Sequence, residues 1–519
     1  MLAVYNVMMY TSFAMHMQGN TVSLLQTAHD GATVMTVDSN GKPLRVQVPQ
    51  GFDATNPTSI TTRNRGLVMP PPTLQELTSM QVHLHHSGPN AVAISWTTPT
   101  ALNCAPKVFL DEVVSWSVTQ SGATRSYPGA YVTNKTTAAS FQHVVLTGLQ
   151  EGKEYNYSVR CAGLGQTLAT FAAPISVINA GAGDEDTAYT FAIFGDMGIT
   201  PAAHDTVKSL LTSTPPIEAV FHIGDLSYAR GNEAVWNQFF GMIEPVASRV
   251  PWSVAPGNHD KRSGDSNGEC GLPMLSRFET PRSRAAQPHL LSLNDTVRCA
   301  QSFDNVVARP FWYALDYGHA RIITYSTDTN LTKGSAQYNW LAAELAHADL
   351  PASRATHPWV LLMGHKPMYT AATYSGEIKT RGNPHSGEGT EGMLTAELEE
   401  LWVDNNVDVS LYGHIHSYNR MYPVKANGSH VEKPTGDTKI YRTPTAPVHM
   451  MIGMAGAGHL EHNTYETPAW SAFAEISYGW LRATFANASA LHLEFVANGD
   501  GVEYDVYAPS VHDDVWITK

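Results

Sequence analysis

Five apolar runs in the 519-residue chain end on a glycine followed at once by Asp, Asn or His. They read Gly195-Asp196, Gly224-Asp225, Gly257-Asn258-His259-Asp260, Gly364-His365 and Gly413-His414-Ile415-His416. One Gly-Asp after an apolar run reads as a turn whose aspartate caps the next helix. One histidine there reads as a satisfied loop residue. Five such endings in one chain form a set of oxygen and nitrogen donors large enough for two metal ions. Paired metals about 3.5–4 Å apart suit hydrolysis at phosphorus, where they clamp the attacking and leaving oxygens. Tyr228, at the end of "GDLSY", is an unusual companion for these donors, because a free phenol has a pKa of about 10.

The donors need rigid supports. The apolar runs "YTFAIF" (189–194), "IEAVFHI" (217–223), "VPWSVAP" (250–256), "PWVLLM" (358–363) and "VDVSLY" (407–412) precede them, with "ARIITYS" (320–326) as a sixth. Helical patterns such as "AAHDTVKSLL" and "GTEGMLTAELEELWVDN" lie between. This alternation predicts a layered α/β domain over 189–510 with a largely buried sheet. In such sheets the loops at the carboxyl ends of the strands form the ligand crevice.

Upstream the texture changes. "QVHLHHSGPNAVAISWTT" and "FQHVVLTGLQEGKEYNYSVRCAG" alternate apolar and polar residues around turn signals, which predicts a small antiparallel β-sandwich over 76–178. Residues 179–188, rich in small and acidic residues, read as a linker. Residues 1–75, closing on "MPPPT", read as an irregular leader.

Composition narrows the chemistry. With 43% hydrophobic and 15% charged residues, the chain can bury more than one core. A net charge of −14 argues against nucleic acid or an anionic membrane as partner, since both demand a clustered basic surface. A small polyanionic substrate fits only if metals supply local positive charge. Four cysteines allow two bridges, and proximity suggests Cys104 with Cys161 and Cys270 with Cys299; four reduced thiols are the alternative. Sequons stand at Asn134, Asn156, Asn294, Asn330, Asn427 and Asn487. The N-terminal "LAVYNVMMYTSFAMHM" is apolar enough for a signal core but lacks a basic flank and a clean cleavage site. No later run reaches the ~20 apolar residues that span a bilayer, so the mature protein is expected to be soluble.

The succession GDMG, GDLSY, GNHD, GHKP and GHIH resembles the metallophosphoesterase superfamily. The tyrosine narrows the resemblance to the purple acid phosphatases, in the long two-domain plant and fungal form. "GECG", "FWYALDYGHARIITYSTDTN" and "YGWLRATFANASALHLEFV" look like that family's connecting segments, and "LTGLQEGKEYNYSV" resembles a fibronectin type III module. The resemblance covers roughly residues 80 to 510. It implies a secreted or vacuolar acid phosphatase for small phosphate monoesters, compatible with a homodimer, with a dimetal centre and a metal-bound hydroxide as nucleophile.

The tyrosine finds its reason in the metal. Displacing a phenolic proton at acid pH takes a hard trivalent ion, and Fe(III) favours anionic oxygen donors. By the family pattern the ferric site uses Asp196, Asp225, Tyr228 and His416. A divalent ion (Zn, Mn or Fe(II)) uses Asp225, Asn258, His365 and His414, with Asp225 bridging. His259 is placed to serve the leaving group or hold the phosphate. Here the chain departs from the plant pattern: "MYTAATYSGE" follows GHKP, with Tyr369, Thr370 and Tyr374 but no histidine before His385. His222, His319, His85 and His86 read as structural or surface residues.

Three other readings stay open. A dimetal phosphodiesterase or nucleotide pyrophosphatase would use the same donors. A protein Ser/Thr phosphatase would lack the tyrosine and carry an arginine where Arg230 does not fall. An adhesion protein with an inert α/β domain would not need all seven donors.

Overall fold

The computed structural model describes residues 13–18, 21–28, 31–37, 43–47, 81–88, 90–99, 106–110, 123–125, 139–161, 164–172, 188–261, 265–281, 311–373, 391–457, 462–463, 468–499 and 507–519. The chain divides into two units, Met1–Asn64 and Arg65–Lys519.

In the larger unit the six expected runs are all strands. Tyr189–Phe194, Ala219–Ile223 and Trp252–Ala255 pair in parallel. Ala320–Thr324, Trp359–Met363, Val409–Tyr412 and Val448–Ile452 form a second parallel set. Each set belongs to its own seven-stranded sheet. The first sheet continues through the antiparallel hairpin Gly479–Asn487 and Ala490–Ala497, which lies against Tyr189–Phe194, and ends with Ser510–Thr518 and Ile440–Arg442.

The period-2 geometry of a strand sends alternate side chains to opposite faces, and here both faces are apolar. Phe191, Ile193 and Phe221 from the first sheet share one buried cluster with Ile322, Leu361, Leu411 and Met450 from the second, so the sheets pack face to face. The intervening residues Ala192, Phe194 and Val220, with Ile323, Val360 and Leu362, pack outward against helices. Val207 and Leu210 come from Pro201–Leu211, Phe239 and Ile243 from Glu233–Ala247, Leu341 and Leu345 from Ala336–Ala348, and Leu398 and Trp402 from Glu391–Asp404. The domain therefore has four layers, with helices outside two sheets. Thr200 starts the first of these helices by accepting the Ala203 N–H, and Pro201 occupies its first turn.

Upstream, two antiparallel sheets share the core of Val92, Ile94, Trp96, Val144, Tyr157 and Val159. One has four strands, from His83–Gly88 to Ala123–Arg125, and the other three, around Glu154–Cys161. This sandwich is bolted to the α/β part. The Val82 N–H donates to Glu244 Oε1 at 2.8 Å and the Tyr157 hydroxyl to the Ser248 carbonyl at 2.6 Å. His83 and His143 each place a ring nitrogen 2.8–2.9 Å from the backbone carbonyls of Arg277 and Ser276.

The smaller unit carries four strands, Phe13–Gln18, Thr21–Ala28, Gly31–Val37 and Pro43–Gln47, paired as an antiparallel meander. They stand inside the stretch expected to be irregular. The Gly19-Asn20 pair between the first two strands is a hairpin signal in the sequence that the search for longer periodicity passes over.

Cys270 is disulfide-bonded. Cys104 and Cys299 lie outside the described residues, as do Asn134, Asn294, Tyr374, His385 and nearly all of the expected linker. Of the other sequons, Asn156, Asn330 and Asn427 are exposed and Asn487 is half-buried. His85, His86, His222 and His319 are buried, which makes them structural rather than surface residues.

Candidate metal centre

All seven expected donors meet where the two sheets present their carboxyl ends. Asp196 and Asp225 follow Tyr189–Phe194 and Ala219–Ile223, Asn258 follows Trp252–Ala255, and His365, His414 and His416 follow Trp359–Met363 and Val409–Tyr412.

They form two groups. Tyr228 Oη lies 3.0 Å from Asp196 Oδ1 and 2.9 Å from His416 Nε2, and those two atoms are 3.4 Å apart. In the other group Asn258 Oδ1 lies 3.1 Å from His365 Nε2 and 3.0 Å from His414 Nδ1, while His365 Nε2 is 3.4 Å from Asp225 Oδ1. Asp225, His365 and His414 hold donor atoms all within 4.8 Å of one another. The Asp225 charge also bears on Tyr228, raising its pKa, so its carboxylate is felt by both groups.

The backbone is bent to achieve this. Asp196, Asp225, Tyr228 and His414 all have left-handed φ angles, between 52° and 75°. Such a conformation in a non-glycine residue costs on the order of 1–3 kcal/mol. The scaffold can hold it, because each fully buried Phe or Leu beneath contributes ~1.5–3 kcal/mol. Two motif glycines are required for contact rather than for φ alone. A Cβ on Gly257 would stand 2.1 Å from Asp225 Oδ1, and one on Gly224 2.5 Å from His365 Nδ1.

The donor set fits metal ions on three counts. With bonds of ~2.0–2.2 Å to nitrogen and oxygen, neighbouring ligands at right angles sit about 3 Å apart, the spacing seen here. Asp196 and Asp225 are fully buried, and buried carboxylates demand a compensating cation. The electrostatics report the same demand. Burial alone lowers the His365 pKa, but the Asp225 and Asp196 carboxylates outweigh it and push the imidazole up to about 10. Burial raises the Asp225 pKa, yet His365, His259 and His414 overcome this and hold it below the usual carboxylate range. The Tyr228 phenol is pushed well above its ordinary value, first by burial and then by the charges of Asp196 and Asp225. His414 is held well below its ordinary value, by burial and then by the His365 charge.

Supporting bonds fix the ligands. His365 Nδ1 is 3.0 Å from the Ile223 carbonyl, so Nδ1 carries the hydrogen and Nε2 faces the other donors. The His414 and His259 backbone N–H groups donate to Asp196 Oδ2 and Asp225 Oδ1 at 2.7 and 2.8 Å. His259 is half-buried, its ring 4.6 Å from that of Tyr228 and its Nε2 3.9 Å from Asp225 Oδ2. Tyr369 is fully buried, its hydroxyl donating to Glu399 and accepting the Gly428 N–H at 2.9 Å.

Three residues escaped the sequence reading. Asp260 Oδ2 accepts the Gly257 N–H at 2.9 Å and its Oδ1 the Leu226 N–H at 3.1 Å, which ties two donor loops together. Burial, then the nearby Asp225 charge, pushes its pKa well up. Asp265 accepts from the Asn258 amide at 3.1 Å. Glu269 accepts from the Gly231 N–H at 2.7 Å and the Trp236 indole at 3.0 Å. Their available signal was proximity, since "NHD" and "GDSNGEC" follow directly on a donor.

The chain matches family models along most of this architecture. Residues 79–173 match the purple acid phosphatase N-terminal domain, 189–418 the calcineurin-like phosphoesterases, and 446–506 the iron/zinc purple acid phosphatase-like protein C. "Acid phosphatase type 7" of Homo sapiens is 30% identical over 344 residues, covering 63% of this chain and 67% of that protein. "Probable inactive purple acid phosphatase 1" of Arabidopsis thaliana is 31% identical over 340 residues, 61% of this chain and 49% of that protein. The chain spans about half the length of several curated relatives it matches. The solved purple acid phosphatase PPD1 from yellow lupin (Lupinus luteus) seeds has the same fold, with a TM-score of 0.65 at 22% identity over 96% of this chain and 81% of its own. Fold and site together define a metallophosphoesterase. Within that class the chain belongs to the purple acid phosphatase family. No helix among the described residues is long and apolar enough to cross a membrane.

Proposed function

We propose that this chain is an acid phosphatase for phosphate monoesters, working with Fe(III) beside a divalent Zn, Mn or Fe(II). The observation that carries the reading is the convergence of two donor groups beside one carboxylate, Asp225, with the Tyr228 phenol in one of them. Asp196, Tyr228 and His416 would hold the ferric ion, Asn258, His365 and His414 the divalent ion, and Asp225 both. The word "inactive" in the name of the Arabidopsis relative concerns that protein; the complete donor set here supports activity.

The two cations, when bound, neutralise the phosphate and acidify the water that attacks it. The chain's own residues do the rest. Tyr228, His259 and His416 are the more exposed members of the site, so substrate enters beside them. His259 donates no ring hydrogen to Asp225, whose Oδ2 is 3.9 Å away, so its Nε2 is available to a phosphate oxygen or to the departing alkoxide. Proton delivery of this kind contributes typically 10²–10⁴-fold. Secretion or vacuolar targeting, glycosylation at the exposed sequons, the Cys270–Cys299 and Cys104–Cys161 pairings and a homodimer belong to the same reading.

The test is a visible spectrum and metal analysis of purified protein, followed by rates on a monoester and on a nucleotide diphosphate at acid pH. A coloured protein with one iron and one divalent ion, faster on the monoester, supports the proposal. A colourless protein with two divalent ions sinks the ferric assignment, and preference for the diphosphate makes it a pyrophosphatase.

A further inference from the structure

We propose that Asp265 is a positioning residue that holds Asn258 as an oxygen donor and His259 with Nε2 toward the site. The inference rests on the dimetal reading above.

An asparagine amide has two ends of nearly equal size, and only its oxygen can ligate a cation. Something must choose the end. Asn258 Nδ2 donates to Asp265 Oδ2 at 3.1 Å, and an ionised carboxylate accepts hydrogen bonds but offers none. It therefore selects the NH₂ end and leaves Asn258 Oδ1 aimed at His365 Nε2 and His414 Nδ1, at 3.1 and 3.0 Å. The charge behind the amide also makes that oxygen a stronger donor. The same residue acts through its main chain. The Asp265 carbonyl lies 3.2 Å from His259 Nδ1 and can only accept, so Nδ1 carries hydrogen and Nε2 turns to the Asp225 side.

The loop bearing Asp265 is itself braced. Asn267 donates to the Arg230 carbonyl at 3.1 Å, Glu269 accepts from Gly231, and Cys270 is disulfide-bonded. The first two of these bonds tie it to the segment just after Tyr228. One loop thus spans the asparagine-histidine turn and the tyrosine turn.

The experiment measures Zn(II) affinity, by chelator competition, in full-length protein stripped of its divalent ion. Asp265→Ala is expected to weaken Zn(II) binding 10–100-fold, the usual cost of losing an outer partner, while the visible tyrosinate band persists. Asp265→Asn keeps an oxygen acceptor and should lose no more than a few-fold. Asn258→Ala combined with Asp265→Ala should be little worse than Asn258→Ala alone, since both remove one interaction. Unchanged affinity in Asp265→Ala, or fully additive losses, overturns the proposal.

If Asp265→Ala does not fold, a near-isosteric exchange still decides. Asn258→Asp sets two carboxylates against each other, and adding Asp265→Asn supplies an NH₂ to face the new aspartate. At least tenfold tighter Zn(II) binding in the double variant than in Asn258→Asp supports the role; no rescue overturns it. Native protein that takes up no metal fails differently, because it brings down the dimetal reading as well.

Discussion

The Tyr228 hydroxyl stands 3.0 Å from Asp196 Oδ1, although the two residues come from loops after different strands. A phenol so close to a buried carboxylate keeps its proton unless a strongly charged cation takes its place, as its raised pKa indicates. Tyr228→Phe is therefore expected to abolish the visible band and to weaken iron binding by at least the 10–100-fold typical of outer-sphere losses. Absorption spectra and iron content of native and variant protein at equal concentration check this.

Gly257→Ala should damage the site more than the fold. The added methyl would stand 2.1 Å from Asp225 Oδ1 and must push the bridging carboxylate aside. Overpacking of this kind costs typically 1–3 kcal/mol. The expected result is a cooperative melt at lowered temperature together with loss of both metals, read by calorimetry and elemental analysis.

His259→Ala should separate catalysis from metal binding. His259 is not among the proposed donors, so metal content is expected to stay native while kcat/KM for a monoester falls roughly 10²–10⁴-fold. Loss of metal in step with activity would instead mark the His259 ring, packed 4.6 Å from that of Tyr228, as a structural support of the donor cluster.

Glu269 gives the fold a preference for acid. Burial, only partly offset by its bonds to Gly231 and Trp236, pushes its pKa from 4.5 to about 7. A carboxyl whose folded pKa lies above its unfolded one binds its proton more tightly when folded. Its contribution is complete below about pH 4.5 and is lost as pH rises to about 7, a span worth roughly 3 kcal/mol. Glu269→Gln should melt like the native protein near pH 4.5 and several degrees above it at pH 7.5. Equal differences at both pH values would refute this.

Much of the site was legible because its residues obey a local rule. Each donor follows a strand and a glycine, so Asp196, Asp225, Asn258, His365 and His414 could be picked out without knowing how the strands pair. The six strand cores appeared within two residues of their expected limits because a fully buried strand is a short apolar run. Which strand joins which sheet was not legible, because alternate residues are apolar on both faces whether a sheet meets a helix or another sheet. Asp260, Asp265 and Glu269 were missed for a different reason. Their roles depend on which loop folds over which, and nothing in residue type separates a bracing carboxylate from a solvated one.

Four donors in a left-handed backbone also carry an evolutionary consequence. A descendant that exchanged Asp225 for glycine would relieve a disfavoured torsion worth on the order of 1–3 kcal/mol, but it would leave the His259 N–H and the buried His365 ring without their carboxylate partner. Loss of one donor therefore exposes the others, and the site resists being dismantled one residue at a time.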